Sequence, residues 1–196
     1  SLVMRQIVGL LLFGWRYRLK VTGLDNIPIN GPVLLLGNHI SWIDFALIQW
    51  ATPRTIRFVV HDDYYRMPIL NWILKGVGAV SIRPENSRNA MQNIINLLNE
   101  DCVVVIFPEG HISTSGELSD LKRGFEKILV ECQDNVAVVP FAINDMWGSF
   151  FSKAPKLIKK KKIFSLRRSV NVNIGEALTS ETNRNEVKAS IGKLLY

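Results

Sequence analysis

The sequence PVLLLGNHISWID, residues 32–44, joins a run of apolar residues to a short polar segment. Residues 32–37 have the length and the uninterrupted apolar character of a buried strand. Residues 43–52 predict a helix, so the polar residues lie on the turn between the two elements. In α/β folds this position, directly after a strand, is where ligand-binding and catalytic groups lie.

The same alternation of elements continues along the chain. Apolar runs predict further strands, and apolar residues at helical spacing predict further helices. The predicted strands are 55–60, 79–82, 102–107, 136–143 and 169–174, and the predicted helices are 68–75, 89–99, 121–132 and 186–195. Apolar strands that alternate with helices indicate an α/β fold with a mixed, largely parallel central sheet flanked by helices. No linker-like segment interrupts residues 21–196, so we expect one domain there.

The net charge of +7 is concentrated in one segment. Residues 153–168 contain eight basic residues and no acidic residue, whereas the rest of the chain is close to neutral. The basic residues are Lys153, Lys156, Lys159, Lys160, Lys161, Lys162, Arg167 and Arg168. Such a cluster is typical of a surface that contacts an anionic partner, with a solvated loop as the alternative. Phe164 is its single aromatic residue, which favours membrane phosphates over nucleic acid because single-stranded nucleic acid stacks on several aromatics.

The first residues predict a second membrane contact. Residues 7–15 are largely apolar, and Arg16, Arg18 and Lys20 follow them. As a helix this run would reach about 14 Å, against about 30 Å for the hydrocarbon of a bilayer, so it cannot span one. We therefore expect an N-terminal amphipathic helix over residues 1–20 that lies in the membrane interface, with a core helix as the alternative. The start at Ser1 instead of Met suggests a piece of a longer protein.

His39 and Asp44 are the candidate catalytic pair of the first polar segment. A histidine titrates near neutral pH and suits a general base, and it needs a partner that fixes its tautomer. On one continuous helix the two side chains would point about 140° apart, since each residue turns by about 100°. They therefore face each other only if His39 lies on the turn and Asp44 lies in the first turn of the helix. Alternatively, Ser41 and Asp44 form a capping box, which explains both residues without any chemistry.

A second polar segment, FPEGHIS at residues 107–113, also follows an apolar strand. Pro108 ends that strand, and Gly110 permits a close backbone approach or a positive φ. Glu109 is then held at the edge of the sheet, where it can accept hydrogen bonds from a polyol or bind a cation. Farther along, Lys122 is positioned to meet a phosphate at the start of a helix. The alternatives are an ordinary turn and solvated charges at a helix N-terminus.

Together these segments resemble the motifs of the glycerophospholipid acyltransferases, of the 1-acyl-glycerol-3-phosphate acyltransferase type. The matching blocks are Asn38-His39-x4-Asp44, Phe107-Pro108-Glu109-Gly110, Lys122-x-Gly124 and Val138-Val139-Pro140-Phe141. The resemblance implies that His39 takes a proton from a lipid hydroxyl, which attacks the thioester of an acyl-CoA or an acyl carrier protein. It also implies that Asp44 orients His39, and that the reaction needs no metal and no cofactor besides this co-substrate.

The resemblance further implies which residues bind the acceptor. They are Arg83, Glu109, Gly110, His111, Ser113, Lys122 and Gly124. Two positions depart from the family, since Ile112 stands where an arginine for the acceptor phosphate is usual and Arg83 comes one place early. Both departures look more like the acyltransferase portion of the bifunctional 2-acylglycerophosphoethanolamine acyltransferase/acyl-carrier-protein synthetases.

These observations predict an enzyme that acylates the free hydroxyl of a lysophospholipid at a membrane surface. We expect a peripheral protein that docks through residues 1–20 and 153–168 and has no nucleic-acid partner. Cys102 and Cys132 lie in apolar contexts typical of a reducing compartment, which points to the cytoplasmic face. The alternatives are an enzyme that makes phosphatidic acid, an inactive membrane-binding module, and a hydrolase that uses the same pair with water. The absence of a Gly-x-Ser-x-Gly motif disfavours a serine hydrolase.

Overall fold

The computed structural model describes residues 14–61, 80–82, 87–132, 136–163 and 167–196. Within these ranges seven strands form one sheet. They are β1 (Tyr17–Thr22), β2 (Val33–Gly37), β3 (Ile56–His61), β4 (Val80–Ile82), β5 (Val103–Ile106), β6 (Ala137–Asn144) and β7 (Arg168–Ile174). Their order is β1-β7-β6-β2-β5-β3-β4, and each neighbouring pair is parallel except β6 and β7. The predicted α/β class with a mixed, largely parallel sheet is confirmed.

Helices flank the sheet on both faces. Among the described residues they are α1 (Asp44–Ala51), α2 (Ser87–Asn99), α3 (Gly124–Glu131), α4 (Lys156–Ile163) and α5 (Arg184–Leu194). Helix α2 buries Ala90, Ile94 and Leu98, whose four-residue spacing places them on one side of the helix. Helix α5 begins with a capping box in which Asn183 and Glu186 satisfy backbone N–H groups of the first turn.

Strand β2 lies in the middle of the sheet, and all its residues are buried. Val33 and Leu35 face the cluster that contains Leu47 and Ile48 of α1. Leu34 and Leu36 point the other way, into the cluster formed with α2, α3 and α5. Because both faces of β2 are covered, its sequence is continuously apolar and not alternating.

The chain directions place several loops at one end of the sheet, which we call the carboxyl edge. Strands β2, β5 and β6 are parallel, so the loops that follow them lie at this edge. Strand β7 is antiparallel to β6, and β1 is parallel to β7, so these two strands begin there. The carboxyl edge therefore brings together residues 38–44, 107–113 and 145–153 with the starts of β1 and β7.

The structure differs from the sequence-based prediction at the chain's start. Tyr17–Thr22 forms an edge strand paired with β7, so the helix expected over residues 1–20 is wrong for residues 17–20. Alternate residues of β1 are more and less buried, which is the period of a half-covered strand. Residues 1–13 lie outside the described residues, as does the helix predicted over 68–75.

The lysine-rich segment also differs from the loop considered as an alternative. Lys156–Ile163 forms α4, which begins after Pro155, whose carbonyl accepts hydrogen bonds from Ile158 and Lys159. A proline before the first turn is favourable because its missing N–H would have no partner in the helix. Lysine is a good helix former, so this segment forms a helix even though its charge is the feature that stands out in the sequence.

Candidate active site

His39 and Asp44 are in direct contact at the carboxyl edge. The imidazole Nδ1 lies 2.8 Å from Asp44 Oδ2. His39 lies on the turn after β2, and Asp44 is the first residue of α1, which is the geometry that the pair requires. The Asp44 side chain is fully buried, whereas 22% of the His39 side chain is exposed. The histidine can therefore meet a substrate, and the aspartate cannot.

The Asp44 carboxylate is held by the turn itself. Its Oδ2 accepts hydrogen bonds from the N–H groups of Ile40 at 2.7 Å and Ser41 at 2.8 Å. Its Oδ1 accepts the hydroxyl of Ser41. Because Oδ2 is a shared acceptor, the imidazole must donate its Nδ1 proton to it, and the lone pair then lies on Nε2.

The capping-box alternative for Ser41 and Asp44 does not describe this turn. The residue that caps α1 is Ile43, and no side chain caps the helix. The Ser41 hydroxyl binds the carboxylate of Asp44 and not a backbone N–H. Both side chains therefore serve the His39 turn.

Aromatic packing and the hydrogen bonds of the Asn38 side-chain amide hold the His39 turn in place. The His39 ring is stacked on Phe107 at 4.3 Å between centroids, and Phe107 contacts the edge of Phe141. Asn38 donates to the carbonyl of Ile143 at 3.0 Å and accepts its N–H at 2.8 Å. These contacts tie the turn to β5 and β6 and restrict the plane of the imidazole.

Glu109 has a different position from the one expected for an acceptor-binding residue. Its side chain is 1% exposed. Oε1 accepts the backbone N–H of His39 at 2.7 Å, and Oε2 accepts the N–H and the hydroxyl of Ser119 at 2.9 and 2.7 Å. Both oxygens thus bind protein donors, and the carboxylate joins the His39 turn to the loop before α3.

Ser113 likewise has an internal role. Its N–H donates to the carbonyl of His39 at 2.7 Å. Its hydroxyl donates to the carbonyl of Glu117 at 2.9 Å and accepts the N–H of Gly116 at 3.0 Å. Ile112 is 4% exposed, so the side chain at this departure from the family pattern points into the protein.

Four residues of the predicted acceptor set are exposed, unlike Glu109 and Ser113. Gly110 and His111 are exposed, and Lys122 and Gly124 are exposed beside them. Gly110 has a φ of +72°, and a Cβ there would lie 2.5 Å from Lys122 Nζ, so the ammonium group lies directly over the glycine. Arg83 lies outside the described residues.

The basic segment is only partly a surface feature. Arg168 is 7% exposed, and its guanidinium donates to the carbonyls of Asp145, Trp147 and Gly148 at 2.7, 3.2 and 3.1 Å. Burial lowers the pKa of Arg168 below its ordinary value. Arg168 therefore holds the loop after β6 and does not belong to the predicted docking patch.

Several supporting residues had no role in the sequence-based prediction. Asn38 lies inside the first motif. Its position next to a histidine at the end of a strand is the sequence feature that could have indicated its supporting role. Phe107 lies likewise inside the second motif, whereas Ser119 carries no such signal, because its partner Glu109 lies on another part of the chain.

Two further properties concern the described residues. Within them, no three His, Cys, Asp or Glu side chains are grouped in a way that could hold a metal ion. None of the helices in the same ranges has the length and apolar character needed to cross a bilayer.

Comparison with known proteins identifies relatives of this chain. A family model described as Acyltransferase matches residues 18–144. The 1-acyl-sn-glycerol-3-phosphate acyltransferase of Borreliella burgdorferi is 24% identical over 78% of this chain and 61% of its own length. The lyso-ornithine lipid O-acyltransferase of Rhizobium meliloti is 25% identical over 95% of this chain and 70% of its own length.

A solved structure has the same fold. It is the 1-acyl-sn-glycerophosphate (LPA) acyltransferase PlsC of Thermotoga maritima, with a TM-score of 0.76 and 21% identity, covering 99% of this chain and 76% of that one. The chain spans 61% of the Borreliella relative and 39% of a Chlamydomonas reinhardtii 1-acyl-sn-glycerol-3-phosphate acyltransferase.

Proposed function

The chain belongs to the acyltransferase family, and from this premise we propose that it transfers a fatty acyl group from a thioester to the free hydroxyl of a lysophospholipid. The observation that carries the proposal is the contact between His39 and the buried Asp44. It leaves the Nε2 atom of a partly exposed imidazole as the proton acceptor of the site. The donor is an acyl-CoA or an acyl carrier protein.

The proposed reaction needs no covalent enzyme intermediate. His39 Nε2 takes the proton of the acceptor hydroxyl, and the oxygen attacks the thioester carbonyl to form an ester bond. The C–S bond then breaks, and the departing thiolate takes the proton back from the imidazolium. Asp44 stabilises the imidazolium between these steps, as the buried aspartate does in serine proteases, with the substrate as nucleophile.

Lys122 is our proposed contact for an anionic headgroup. Its ammonium group lies over Gly110, next to the exposed His111, on the loop that also bonds the His39 turn. Gly124 allows an approach to the N-terminus of α3. Arg83 remains proposed as a further acceptor contact. Glu109 and Ser113 support this loop from inside.

The acceptor headgroup has two candidates. The buried Ile112 favours the lysophosphatidylethanolamine type expected for the bifunctional subfamily, since this position offers no cation to a phosphate monoester. The Borreliella relative favours 1-acyl-glycerol-3-phosphate, with phosphatidic acid as the product. We also propose that the protein acts peripherally at the cytoplasmic face of a membrane, docked through residues 1–16 and 153–167, without the buried Arg168 and the strand that begins at Tyr17.

A panel of lysolipids tests the proposal. Acyl transfer from radiolabelled acyl-CoA and acyl carrier protein is measured for the wild type and for His39→Ala, with 1-acyl-glycerol-3-phosphate and lysophosphatidylethanolamine as acceptors. Transfer that is lost in a folded His39→Ala supports the mechanism, and the preferred acceptor identifies the headgroup. A wild type that binds vesicles without acylating any acceptor would favour the inactive membrane-binding module.

A further inference from the structure

Half of the large apolar side chains that are exposed among the described residues come from the His39 turn or from segments next to the carboxyl edge. Trp42 is 42% exposed, Phe150 72% and Leu157 71%, and Trp15 at the start of β1 is 73% exposed. In a folded protein, large apolar groups that remain exposed together mark an interaction surface. Trp42 comes from the catalytic turn itself, and the other side chains come from the loop after β6, from α4 and from the start of β1.

Backbone contacts make the turn and this loop one surface. The N–H of Trp42 donates to the carbonyl of Phe151 at 3.0 Å, and Ser41 forms an antiparallel bridge with Ser152. The ring of Phe150 meets that of Phe151 edge-on at 5.4 Å. The exposed aromatic groups are therefore directly connected to the turn that carries His39.

Lysines are interleaved with these apolar groups. The ammonium group of Lys153 lies 5.6 Å above the ring of Trp42. The ammonium group of Lys159 donates to the carbonyl of Phe150 at 3.2 Å, and Lys156 precedes Leu157 on α4. Aromatic rings with an apolar body and lysines with long stems are the side chains that occupy the headgroup level of a bilayer. We call this set the aromatic–lysine surface: Trp42, Phe150, Lys153, Lys156, Leu157 and Lys159.

The opposite edge of the sheet carries several exposed carboxylates. Asp25 follows the end of β1, Glu176 follows the end of β7, and Glu100 and Asp101 precede β5; all four are exposed. At the carboxyl edge, the acidic Asp145 is held by Asn171 at 2.7 Å. The lysines of the aromatic–lysine surface lie on the side of His39, where the exposed acidic residues besides Asp145 include Glu117.

We propose that the aromatic–lysine surface docks the protein on an anionic lipid bilayer and points the carboxyl edge, with His39, toward the headgroups. The occupant is a lipid surface because the patch combines cationic groups with insertable apolar groups, as interfacial segments do. The inference rests on the proposed function in one respect, since the docking serves to deliver a lysolipid hydroxyl to His39. Binding itself is independent of catalysis.

Flotation of the full chain with vesicles tests the docking. Vesicles of phosphatidylcholine with phosphatidylglycerol are compared with vesicles of phosphatidylcholine alone. We expect Phe150→Ser with Leu157→Ser to weaken binding to the anionic vesicles by about tenfold or more, and Lys153→Glu by at least about fivefold. The matched control is Ile29→Ser with Val130→Ser, which removes apolar side chains that are 87% and 85% exposed elsewhere and should leave binding unchanged. Thermal melting confirms that each variant is folded.

A transfer assay separates docking from catalysis. With a short-chain, water-soluble lysolipid and no vesicles, the variant at Phe150 and Leu157 should match the wild type, whereas its transfer to long-chain acceptor in vesicles should fall. Unchanged flotation in this variant would overturn the proposal. So would a Lys153→Glu protein that binds vesicles normally but loses transfer from acyl carrier protein, since the surface would then bind the carrier. If the wild type transfers nothing, the proposed activity fails, and flotation alone decides the docking.

Discussion

At the scale of single residues, Asp44 has two functions. Its carboxylate accepts a hydrogen bond from His39 Nδ1, and it also accepts hydrogen bonds from the N–H groups of Ile40 and Ser41. The same carboxylate therefore shapes the turn and holds the imidazole, so the base is oriented before any substrate binds. Preorganisation of this kind lowers the reorganisation that the reaction would otherwise require.

Asp44→Asn should lower kcat by about a hundredfold or more, because the amide cannot stabilise the imidazolium as the carboxylate does. The KM for the acceptor should change little, since Asp44 is fully buried and does not reach substrate. Steady-state kinetics with a soluble lysolipid measure both constants. Asp120→Asn is the matched control, since Asp120 is an exposed aspartate paired with Lys188. A loss of less than tenfold at Asp44 would contradict the assigned role.

Glu109→Gln tests whether this buried carboxylate positions the turn or contacts the acceptor. The amide would place N–H donors against the N–H of His39 or of Ser119, so the free energy of unfolding should fall by about 1–3 kcal/mol. We expect kcat to fall and the KM for the acceptor to stay nearly constant. Denaturant unfolding and kinetics provide the two readouts, with the exposed Glu117→Gln as control. A large rise in KM at unchanged stability would instead place Glu109 against the acceptor.

The sequence predicted the contact between His39 and Asp44 but not the role of Glu109. The first follows from local geometry, because a strand, a turn and a helix start put the two side chains together. The second depends on Ser119, which reaches Glu109 only because the loop before α3 folds back over it. The side chain of a glutamate in a Pro-Glu-Gly turn can point into the protein or into solvent. The path of the loop before α3 determines which of the two occurs.

At the scale of elements, the apolar strands were predictable, including the edge strand β4, whereas the edge strand β1 was not. Strands β2 and β5 are buried on both faces, so their composition alone identifies them. Among the described strands, β1 lies at the edge of the sheet and pairs only with β7, far away in sequence. Its arginine and its lysine fit equally well on an interfacial helix, and tertiary pairing selected the strand.

The start of the loop between β5 and α3 depends on Gly110. At Gly110 a φ of +72° and the nearby Lys122 Nζ both disfavour a side chain. Gly110→Ala should strain the backbone by about 1–2 kcal/mol and displace the ammonium group of Lys122. If Lys122 binds the headgroup, the KM for an anionic acceptor should rise several-fold.

Kinetics with anionic and zwitterionic lysolipids at a fixed donor concentration measure this effect. Gly192→Ala on α5 is a suitable control, because a Cβ there has nothing within 4 Å. An equal rise in KM for both acceptors would indicate a general distortion of the loop. An unchanged KM would remove Lys122 from the headgroup site.

At the scale of the whole molecule, the described strands share one sheet with a core on each side of β2. This continuity favours the single domain predicted over residues 21–196, which stays a prediction. It also gives the molecule a defined direction. Strands β2 to β6 run from an edge with four exposed carboxylates to the carboxyl edge, which carries the aromatic–lysine surface. The sequence reveals this arrangement only in part, because the residues of each edge are scattered along the chain.

The position of a charge on the fold predicts how the protein is oriented on a membrane, and not only how tightly it binds the membrane. Glu176→Lys adds positive charge at the edge opposite His39, whereas Glu117→Lys makes the same change on the loop between β5 and α3, at the carboxyl edge. Both should bind anionic vesicles at least as well as the wild type, since each adds about 1 kcal/mol of attraction per lysine near the surface. Only Glu176→Lys should lower the transfer rate per bound molecule, because it stabilises a second orientation in which His39 faces water. The ratio of transfer rate to bound fraction, measured on the same vesicles, separates the two. Equal ratios for the two variants would mean that the position of a charge on the fold does not orient the active site.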